Sequence, residues 1–501
     1  MDFLNAIQLG IASAFQVQNI LYCFIGVFIG TMIGVLPGIG PSGAIAILMP
    51  TTFNISPVSA IIMLTGIYYG AMYGGSTTSI LVNIPGEAAS VVTCIDGYQM
   101  ARQGRAGPAL GISAFGSFIA GIVGIIFLAI LAPSLANLAV NFGPPDYSSL
   151  MILGMTLLIY LGSGSVIKSL IMAAFGIILG CVGQDQIFGI PRLAYGLEIL
   201  WDGVGLVPVI MGLFGISEVL INLEKKGKRQ ILETKIKELL PTRDDWKKSA
   251  KPIARGSLLG FFLGILPGGG AVVASFASYA LEKKFSRYPE RFGKGAIEGV
   301  AGPESANNSA TMGAMVPLLT LGIPSNVVMA MLLAALMIHG TPPGPLLISN
   351  HPELFWGIIV SMLLGNLMLL VLNLPLIGMW VQILKVPYKI LFPLIILFCL
   401  IGAYSIRSSA VDIVIMLIFG SLGYIMKKYE YEPAPLILAF VLGPMLEGNL
   451  RQALILSHGS FSIFVQRPIS LICLLVACIF LFMPLISTFR TLKTRIREEE
   501  V

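Results

Sequence analysis

The sequence of 501 residues is 56% hydrophobic and only 11% charged, whereas soluble domains carry roughly 25% charged residues. Its apolar residues fall into many runs of about 20, the length of a helix that crosses a hydrocarbon core of about 30 Å, and the alternating segments of about ten residues that form transmembrane barrels are absent. This composition excludes a soluble protein and predicts an all-α polytopic membrane protein with about 10–12 transmembrane segments. The net charge of +6 gives no reason to expect nucleic acid as a partner, because Lys and Arg collect in a few loops, as the positive-inside rule describes.

The sequence also argues against an enzyme or a metal centre. Six cysteines are scattered without a CxxC motif or a His/Cys cluster, so we interpret them as small apolar side chains. The three histidines are far apart, with no HExxH motif. GSGS at residues 162–165 is typical of an intramembrane serine nucleophile, but no histidine is positioned to activate it. The first Lys or Arg is Arg102, so we expect no cleavable signal peptide.

The first half contains a polar stretch in an apolar neighbourhood. After a mildly amphipathic start at residues 1–18, an apolar run reaches LPGIGP at residues 36–41, and residues 58–72 lead into YGGSTTSILVNIPGE at residues 73–87. Glycines and a proline interrupt the helical pattern there, beside hydroxyls, an amide and a carboxylate. Non-helical backbone at membrane depth is tolerated only where it packs in protein or lines a water-filled cavity. We therefore predict that this stretch is half of a solute-binding site.

A long hydrophilic segment separates the two halves of the chain. Residues 224–255 hold eleven Lys or Arg and five acidic residues, and we interpret them as a basic cytoplasmic loop. A regulatory or docking role is the alternative. The segment would divide the chain into a first transmembrane repeat with scaffold spans, residues 1–223, and a second, residues 256–501. Between residue 87 and this segment we expect a polar loop at 96–107 and spans at about 109–140, 147–162, 165–183 and 203–223.

The second half repeats four landmarks of the first half in the same order, which indicates an internal duplication. The pairs are GxxxGxLPGxG at residues 30–40 and 260–270, the hydroxyl-rich stretch and residues 298–310, NIPGE at 83–87 and GIPSN at 322–326, and GPAL at 107–110 and GPLL at 344–347. Further spans are expected at about 354–384, 388–405, 410–426, 434–446 and 468–489.

Loop charges indicate how the two repeats are oriented. Residues 283–294, after the second LPG motif, hold five Lys or Arg, whereas the matching residues 51–57 hold none. Conversely, Arg102 and Arg105 follow the core of the first repeat, and the matching residues 340–350 hold no Lys or Arg. Corresponding loops should thus face opposite sides of the membrane. This predicts inverted-topology repeats with broken helices and a substrate site near the midplane.

The same reasoning predicts re-entrant hairpins at the two LPG motifs. The loops at 224–255 and 283–294 both read as cytoplasmic, and the roughly 26 residues between them are too few for two spans. The segment should therefore enter and leave on one side, turning at Pro267 and Gly268. By symmetry, Pro37 and Gly38 should mark a hairpin from the opposite side. A single broken span, with the second loop misassigned, is the alternative.

The polar residues of both repeats form the candidate substrate site. Small polar side chains beside glycines let the backbone approach a ligand closely, and the N-terminal ends of broken helices suit carboxylate groups without a buried Lys or Arg. Two related runs with proline breaks favour this interpretation over helix packing by Ser, Thr and Gly alone. The candidate substrate-binding residues are Ser76, Thr77, Thr78, Ser79, Asn83, Pro85, Gly86, Ser305, Asn307, Asn308, Ser309, Pro324, Ser325 and Asn326.

Acidic residues within or beside the two cores are Glu87, Asp96, Glu298 and Glu304. Carboxylates at membrane depth are costly and usually functional, so Glu87 and Glu304 are the candidates for coupling transport to Na⁺ or H⁺. The alternative for each is a hydrogen-bonded structural carboxylate. We expect no cofactor, and no metal other than a coupling Na⁺.

Two other groups of polar residues are interpreted as structural. Arg102 and Arg105 would anchor the membrane topology, with a role in substrate access as the alternative. Glu447, Asn449 and Arg451 form a small polar cluster near the end of a span.

Several of these motifs resemble TctA, the large membrane subunit of tripartite tricarboxylate transporters. The similar strings are LPGIGP at 36–41, YGGSTTSILVNIPGE at 73–87, DGYQMARQGRAGPAL at 96–110, FGKGAIEGVAGPESANNSA at 292–310, LGIPSN at 321–326, PPGP at 342–345 and GPMLEGNLRQAL at 443–454. The resemblance runs nearly from end to end. One departure is Ser325, where a glycine is expected.

The resemblance implies a secondary active transporter, a symporter driven by a Na⁺ or H⁺ gradient, in the bacterial cytoplasmic (inner) membrane. It also implies two partners: a small TctB-like four-span membrane subunit, and a TctC-like extracytoplasmic solute-binding protein that delivers a carboxylate, citrate in the type case. No GxxxxGK[ST] motif for ATP occurs in the chain, which agrees with gradient drive. The alternatives are a stand-alone carboxylate transporter or exchanger without a binding protein, and an assembly subunit without a transport path.

Overall fold

Helices make up almost all regular structure in the computed structural model, which describes residues 3–36, 40–161, 165–185, 187–224, 239–384 and 388–481. Several predicted features lie outside the described residues. They are the hairpin residues Pro37 and Gly38, most of the GSGS run, residues 225–238 of the hydrophilic segment, and residues 482–489 of the last expected span.

The part of the chain before the hydrophilic segment forms ten helices among the described residues. They are α1 (Phe3–Ala14), α2 (Val17–Val35), α3 (Gly40–Leu48), α4 (Pro57–Val82), α5 (Val91–Arg102), α6 (Ala106–Ala139), α7 (Pro144–Leu161), α8 (Val166–Gly180), α9 (Leu206–Ile210) and α10 (Ser217–Glu224). A π-helical turn, Met211–Ile216, joins α9 to α10. Two short antiparallel strands, β1 (Gly183–Gln184) and β2 (Pro191–Arg192), lie between α8 and α9.

From Arg243 onward the chain forms twelve α-helices among the described residues. They are α11 (Arg243–Ile265), α12 (Gly270–Phe285), α13 (Glu298–Leu321), α14 (Val327–Ile338), α15 (Leu347–Asn350), α16 (Pro352–Asn373), α17 (Ile377–Leu384), α18 (Tyr388–Arg407), α19 (Ala410–Lys428), α20 (Pro433–Leu456), α21 (Ile463–Gln466) and α22 (Pro468–Leu481).

Seven helical segments in the described part of the chain are long and apolar enough to cross a membrane. They are Val17–Val35, Pro57–Val82, Ala106–Ala139, Leu206–Glu224, Pro352–Asn373, Ala410–Lys428 and Pro433–Leu456. Shorter apolar helices accompany them, among them α8, α14 and α22. The chain is thus an all-α polytopic membrane protein, as the composition predicts.

The chain divides into two compact units. The first contains residues Met1–Val140 and Gly205–Tyr429, with helices α1–α6 and α9–α19. The second contains residues Asn141–Val204 and Glu430–Val501, with α7, α8, the two strands and α20–α22. This division separates parts of the chain that pack together in space. The predicted boundaries at residues 223 and 256 instead separate sequence repeats, and they stay a prediction.

Within the first unit, the same series of elements occurs twice. In each series a helix that leads into an LPG motif, a second helix and a long buried helix are followed by an Ile-Pro break and two more helices. The members are α2, α3, α4, α5 and α6 in the first half, and α11, α12, α13, α14 and α16 in the second. This order supports the predicted duplication, whereas the inverted orientation and the re-entrant topology stay predictions.

Glycines bring the first and third helices of each series into close contact. On α11, a Cβ added at Gly260 or Gly264 would lie under 3.0 Å from the backbone of Ala306 or Ala310 on α13. On α2, Gly30 and Gly34 make the same approach to the α4 backbone. Only residues without a side chain allow two helices to pack this closely.

The second unit is held together by α8 and α20. Gly176 on α8 lies against the Leu436 carbonyl oxygen of α20, and Gly180 lies against Phe440 and Pro444. Arg467, at the start of α22, forms an ion pair at 2.7 Å with the buried Asp146 on α7. Small residues and a few buried ion pairs thus fix these helices.

Local structure differs from the sequence predictions in five places. The span expected at 354–384 is divided between α16 and α17, and the short span expected at 434–446 is part of the longer α20. The polar runs at 76–79 and 305–309 lie inside the continuous helices α4 and α13, and the breaks follow them. The predicted polar loop at 96–107 is helical as far as Arg102, and α11 begins at Arg243, inside the expected loop at 224–255.

Candidate functional site

Helices α4 and α13 end in the same local conformation. Each is followed by a residue in the left-handed region, Asn83 with φ of 57° and Gly322 with φ of 70°. Glycine adopts this region without strain and asparagine tolerates it. An Ile-Pro pair comes next, and then Glu87 or Asn326 accepts a hydrogen bond from a backbone N–H of the following turn. The two predicted breaks are therefore real and alike.

Glu304 on α13 is completely buried among helices of the first repeat. One of its carboxylate oxygens accepts a hydrogen bond from the Ser76 hydroxyl on α4, and the other accepts one from the Thr93 hydroxyl on α5. The side chains of Ser113 on α6 and Asn307 lie next to the same carboxylate. Helices from both halves of the chain therefore converge on one carboxyl group.

Asn308 forms a second polar centre, one turn further along α13. Its amide nitrogen donates hydrogen bonds to the Ser117 hydroxyl on α6 at 2.8 Å, to the Asn307 side-chain oxygen at 2.5 Å, and to the Glu304 backbone carbonyl at 3.0 Å. Asn307, Asn308 and Glu304 are all 0% exposed. This centre continues the Glu304 cluster without an intervening apolar layer.

Five predicted site residues carry a buried polar atom that has no hydrogen-bond partner among the described residues. The atoms are Glu87 Oε1, Ser305 Oγ, Asn307 Nδ2, Asn308 Oδ1 and Ser325 Oγ. Buried polar atoms are nearly always paired, and leaving one unpaired costs about 1–3 kcal/mol. These atoms are therefore groups that a bound ligand could satisfy.

In the described part of the chain, neither Glu87 nor Glu304 forms an ion pair with Lys, Arg or His. Glu87 is 6% exposed and Glu304 is 0% exposed. An isolated charge in such surroundings is strongly destabilising. A proton or a bound cation would relieve it, and the Ser76 and Thr93 hydroxyls supply hard oxygen atoms beside Glu304. Among the described residues, no group of three or more His, Cys, Asp or Glu is placed to hold a metal ion.

Other predicted site residues bond to neighbouring backbone. The Thr78 hydroxyl donates to the Val35 carbonyl at 2.7 Å, the Ser79 hydroxyl to the Ser90 carbonyl at 3.0 Å, and the Ser309 hydroxyl to the Ser257 carbonyl at 2.6 Å. Thr77 and Pro324 are buried, Pro85 is half-buried and Asn83 is exposed. The structure therefore brings only part of the predicted set to the Glu304 cluster.

The second Ile-Pro break lies against the turn at its LPG motif, and the first lies against α2, the helix that leads into the other LPG motif. The Gly268 N–H donates a hydrogen bond to the Ser325 carbonyl at 3.0 Å, so the turn between α11 and α12, which contains Pro267, touches the second break. In the first repeat, a Cβ at Gly86 would lie under 3.0 Å from the Gly34 carbonyl oxygen. Both breaks are therefore packed in protein.

A family model described as "Tripartite tricarboxylate transporter TctA family" matches residues 20–438. The chain belongs to the TctA family. It is 49% identical over 500 residues to the "Uncharacterized 52.8 kDa protein in TAR-I ttuC' 3'region" of Agrobacterium vitis, covering 100% of both chains. It is 50% identical over 241 residues to the "Uncharacterized protein in TAR-II ttuC' 3'region" of the same organism, covering 48% of this chain and 100% of that protein. No solved structure matches.

Membership of the TctA family identifies the chain as a multi-pass membrane component of a tripartite tricarboxylate transporter, a system with other subunits. The cluster around Glu304 lies within the matched residues.

Sequence reasoning missed Thr93 and Ser117 in this TctA-family chain. Thr93 bonds to Glu304 from α5, and Ser117 bonds to Asn308 from α6. Each is an ordinary hydroxyl residue in an apolar stretch, and such residues usually bond to their own helix. Tyr68 was also missed; its hydroxyl oxygen accepts a hydrogen bond from the Asn326 amide at 3.4 Å. Only the folded arrangement distinguishes these residues.

Asp96 fixes the start of α13, a role that its sequence context does not reveal. Its Oδ1 accepts hydrogen bonds from the backbone N–H groups of Gly293, Gly295 and Ala296, at 2.9, 2.7 and 2.9 Å. Its Oδ2 accepts one from the Tyr279 hydroxyl at 2.8 Å. The carboxylate thus ties α5 to the turn before the helix that carries Glu304.

Arg105, the predicted topology anchor, forms an ion pair with Asp245 near the start of α11. Burial acts to raise the pKa of Asp245, but the hydrogen bonds from Thr242 and Arg105 outweigh it, so the pKa lies below its usual value. Asp245 is therefore ionised at neutral pH, and this ion pair connects the start of α6 to α11.

Proposed function

We propose that this chain is the permease subunit of a secondary active transporter that imports a tricarboxylate or a related carboxylate by symport with Na⁺ or H⁺. Membership of the TctA family supports carboxylate transport. The buried polar cluster supports the coupling. In this proposal the chain works with a small TctB-like membrane subunit and a TctC-like extracytoplasmic binding protein, in the bacterial inner membrane, with citrate as the type substrate.

The observation that carries the proposal is the position of Glu304. Its carboxyl group is fully buried, it accepts hydroxyl hydrogen bonds from two helices of the first repeat, and it has no cationic partner among the described residues. A negatively charged substrate nearby would repel an ionised Glu304 strongly, because charges interact over a longer range where water is excluded. A proton or Na⁺ bound at Glu304 removes that repulsion.

This arrangement gives a physical reason for symport. If the cation favours carboxylate binding, then carboxylate binding favours the cation to the same extent, because the coupling free energy between two sites is reciprocal. Glu87 is a second buried carboxylate close enough to Glu304 for their charges to interact. A second coupling ion would bind there.

Donors for the substrate come from α13 and the break that follows it. Asn307 Nδ2, Ser305 Oγ and Ser325 Oγ are buried and unpaired among the described residues. Amide and hydroxyl donors hold a carboxylate without a buried Lys or Arg, provided that its remaining charge is neutralised.

Transport requires the site to open. Glu304, Ser305, Asn307 and Asn308 are all 0% exposed, so this conformation is closed to a solute on both sides. Alternating access would move the helices that carry the site relative to the scaffold helices, exposing the cluster to one side at a time. The turn at Pro267 and Gly268, which packs on the second break, is placed to follow that movement.

The test is uptake of labelled carboxylates into liposomes that contain the chain and its small membrane partner, with the binding protein outside. Citrate and a panel of other di- and tricarboxylates are offered with an inward Na⁺ gradient, an inward H⁺ gradient, no gradient, or internal ATP. We expect uptake of at least one carboxylate with one of the two gradients and none with ATP alone. If no carboxylate responds to either gradient, the proposal is wrong.

Variants separate transport from assembly. The double variant N307A/N308A should abolish gradient-driven uptake while membrane insertion and partner binding persist. Asn373→Ala is the matched control, because it removes a buried amide that donates only to its own helix. Unchanged uptake by the double variant would rule out the site. Full uptake without the binding protein would instead indicate a stand-alone transporter.

A further inference from the structure

The second compact unit carries an exposed apolar ribbon. The ribbon, residues 183–185 and 187–204, joins α8 to α9 and is almost entirely non-helical. Eight of its large apolar side chains are between 40% and 86% exposed: Ile187, Phe188, Ile190, Leu193, Tyr195, Leu197, Ile199 and Trp201. Large apolar side chains that are exposed together in one non-helical segment indicate an interaction site.

A network of ion pairs holds the base of the ribbon rigidly on α20. Arg192 of the ribbon makes a two-pronged contact with Glu447, at 2.7 and 3.0 Å. Arg451 binds Asp185 at 2.5 Å and lies 5.2 Å from the centre of the Phe188 ring. Asp185 also accepts hydrogen bonds from the backbone N–H groups of the next two described residues. A surface fixed in this way loses little conformational entropy when a partner binds.

Connectivity places the ribbon outside the cell. The basic segment at 224–255 indicates a cytoplasmic location for the end of Leu206–Glu224, one of the candidate spans. The ribbon precedes this span and therefore lies on the opposite side of the membrane. It contains one Arg and no Lys, the composition expected of an extracytoplasmic segment.

The chemistry of the ribbon favours a water-soluble protein over the bilayer as its partner. Non-helical backbone exposes N–H and C=O groups that hydrocarbon does not satisfy. Surfaces that adsorb to anionic lipid headgroups combine apolar residues with Lys and Arg. Here the exposed charged side chains are Glu198 and Asp202, and Arg192 is occupied by Glu447. Exposed apolar side chains interspersed with carboxylates suit a protein surface that combines apolar residues with Lys and Arg.

We propose that the ribbon is the docking surface for the soluble binding protein that delivers the carboxylate. This inference rests on the proposed function, because that function requires a soluble partner on the extracytoplasmic side. Tyr195 and Trp201 supply the aromatic contacts, and Glu198 and Asp202 pair with basic residues at the rim of the partner.

The test measures how uptake saturates with the concentration of carboxylate-loaded binding protein, using liposomes that contain the chain and its small membrane partner. Tyr195→Ala and Trp201→Ala should each raise the half-saturating concentration at least about tenfold, because aromatic residues dominate the affinity of such interfaces. The maximal rate should not change, which shows that the variants fold and transport. Tyr288→Ala is the control: Tyr288 is 53% exposed and lies in the loop predicted to be cytoplasmic.

A second arm tests the charged rim. Glu198→Lys should weaken docking most at low ionic strength, because salt screens exposed charges. Suppose that wild-type uptake depends on the binding protein. If the saturation curves of Tyr195→Ala, Trp201→Ala and Glu198→Lys all coincide with that of wild type, the ribbon is not the docking surface. If wild-type uptake does not depend on it, the partner in the proposed function is wrong instead.

Lipid is the competing occupant. Brominated lipids quench the fluorescence of tryptophans that lie in the bilayer. Because the chain has four tryptophans, the fractional quenching of wild type is compared with that of Trp201→Phe to isolate the contribution of Trp201. Equal fractional quenching of the two supports a water-facing ribbon. Clearly stronger quenching of the wild type places Trp201 in the bilayer and contradicts docking there.

Discussion

At the scale of single residues, the proposed coupling depends on the carboxyl group of Glu304, whose hydrogen-bond partners lie on α4 and α5. The sequence singled out Glu304 because acidic residues at membrane depth are rare and functional. It did not reveal Ser76 and Thr93 as its hydrogen-bond donors, since they are 228 and 211 residues away in the chain. A donor on another helix is chosen by packing, which leaves no local pattern.

The first prediction concerns the charge of Glu304. Glu304→Gln keeps the shape of the side chain but can be neither ionised nor protonated like a carboxyl group. Uptake driven by the coupling gradient should fall roughly 10- to 100-fold, because hydrogen bonds to charged groups contribute about 1.5–3 kcal/mol and each 1.4 kcal/mol is a factor of about ten. Initial uptake rates with each imposed gradient measure the loss.

Glu353→Gln is the control for this variant, because Glu353 is an exposed carboxylate at the start of α16. It should transport like wild type. If Glu304→Gln takes up substrate as fast as wild type, and its uptake still depends on the gradient, then another group binds the coupling ion.

The second prediction concerns Asp185 at the base of the ribbon. Hydrogen bonds, first from Arg451 and then from backbone N–H groups, hold the pKa of Asp185 well below its usual range. A lowered folded-state pKa stabilises the protein above the unfolded value of about 3.9, and this contribution is lost as the pH falls further. The free energy of unfolding of wild type should therefore decline more steeply between about pH 4 and pH 2 than that of Asp185→Asn. Parallel declines in acid-unfolding curves would contradict the assigned ion pair.

At the scale of elements, the sequence located the breaks well and the helix limits poorly. A proline shortly after an Asn or Gly predicts the end of a helix. In the structure, each Ile-Pro pair follows such a residue, which has the left-handed conformation and ends the helix. The hydroxyl run at 76–79 nevertheless lies inside α4. Its side chains satisfy backbone carbonyls, as when the Thr78 hydroxyl donates to the Val35 carbonyl at the end of α2. Polarity alone therefore does not interrupt a buried helix.

The third prediction tests the close packing of α11 on α13. Gly260→Ala should lower the free energy of unfolding, because the Cβ of the new alanine would clash with the Ala306 backbone. We expect a loss of about 1–3 kcal/mol, the usual cost of overpacking. Thermal unfolding of the purified protein in detergent measures the shift in melting temperature.

Gly378→Ala is the matched control, since Gly378 lies in α17 and a Cβ there would meet nothing within 4 Å. It should be neutral or stabilising, because alanine favours helices by up to about 1 kcal/mol over glycine. Equal melting temperatures for the two variants would mean that α11 and α13 do not pack as described.

At the scale of the whole molecule, composition predicted the all-α membrane fold and the paired motifs predicted a duplication. The second compact unit was not predicted. It joins α7 and α8 to α20 and α22, which lie more than about 250 residues later in the chain, through glycine contacts and the pair of Asp146 with Arg467. Such contacts depend on shape across distant segments, and neither hydropathy nor motif spacing records them.

Both halves of the first unit are needed to form the Glu304 cluster. The Glu304 cluster takes Ser76, Thr93 and Ser117 from the first half, and Asn307 and Asn308 from the second. Relative movement of the helices that supply these groups would form and dissolve the site. In the proposed function, the two halves therefore depend on each other through the side chains that both contribute to one site.

The most direct measurement of the central claim is a structure of the chain with its membrane partner, determined with a transported carboxylate bound. We expect ligand density within hydrogen-bond distance of Asn307 or Asn308 and of at least one side chain from the first half of the chain, with that density absent in the N307A/N308A variant. Density for the carboxylate only at another place, such as the arginines at the base of the ribbon, would contradict the proposed site.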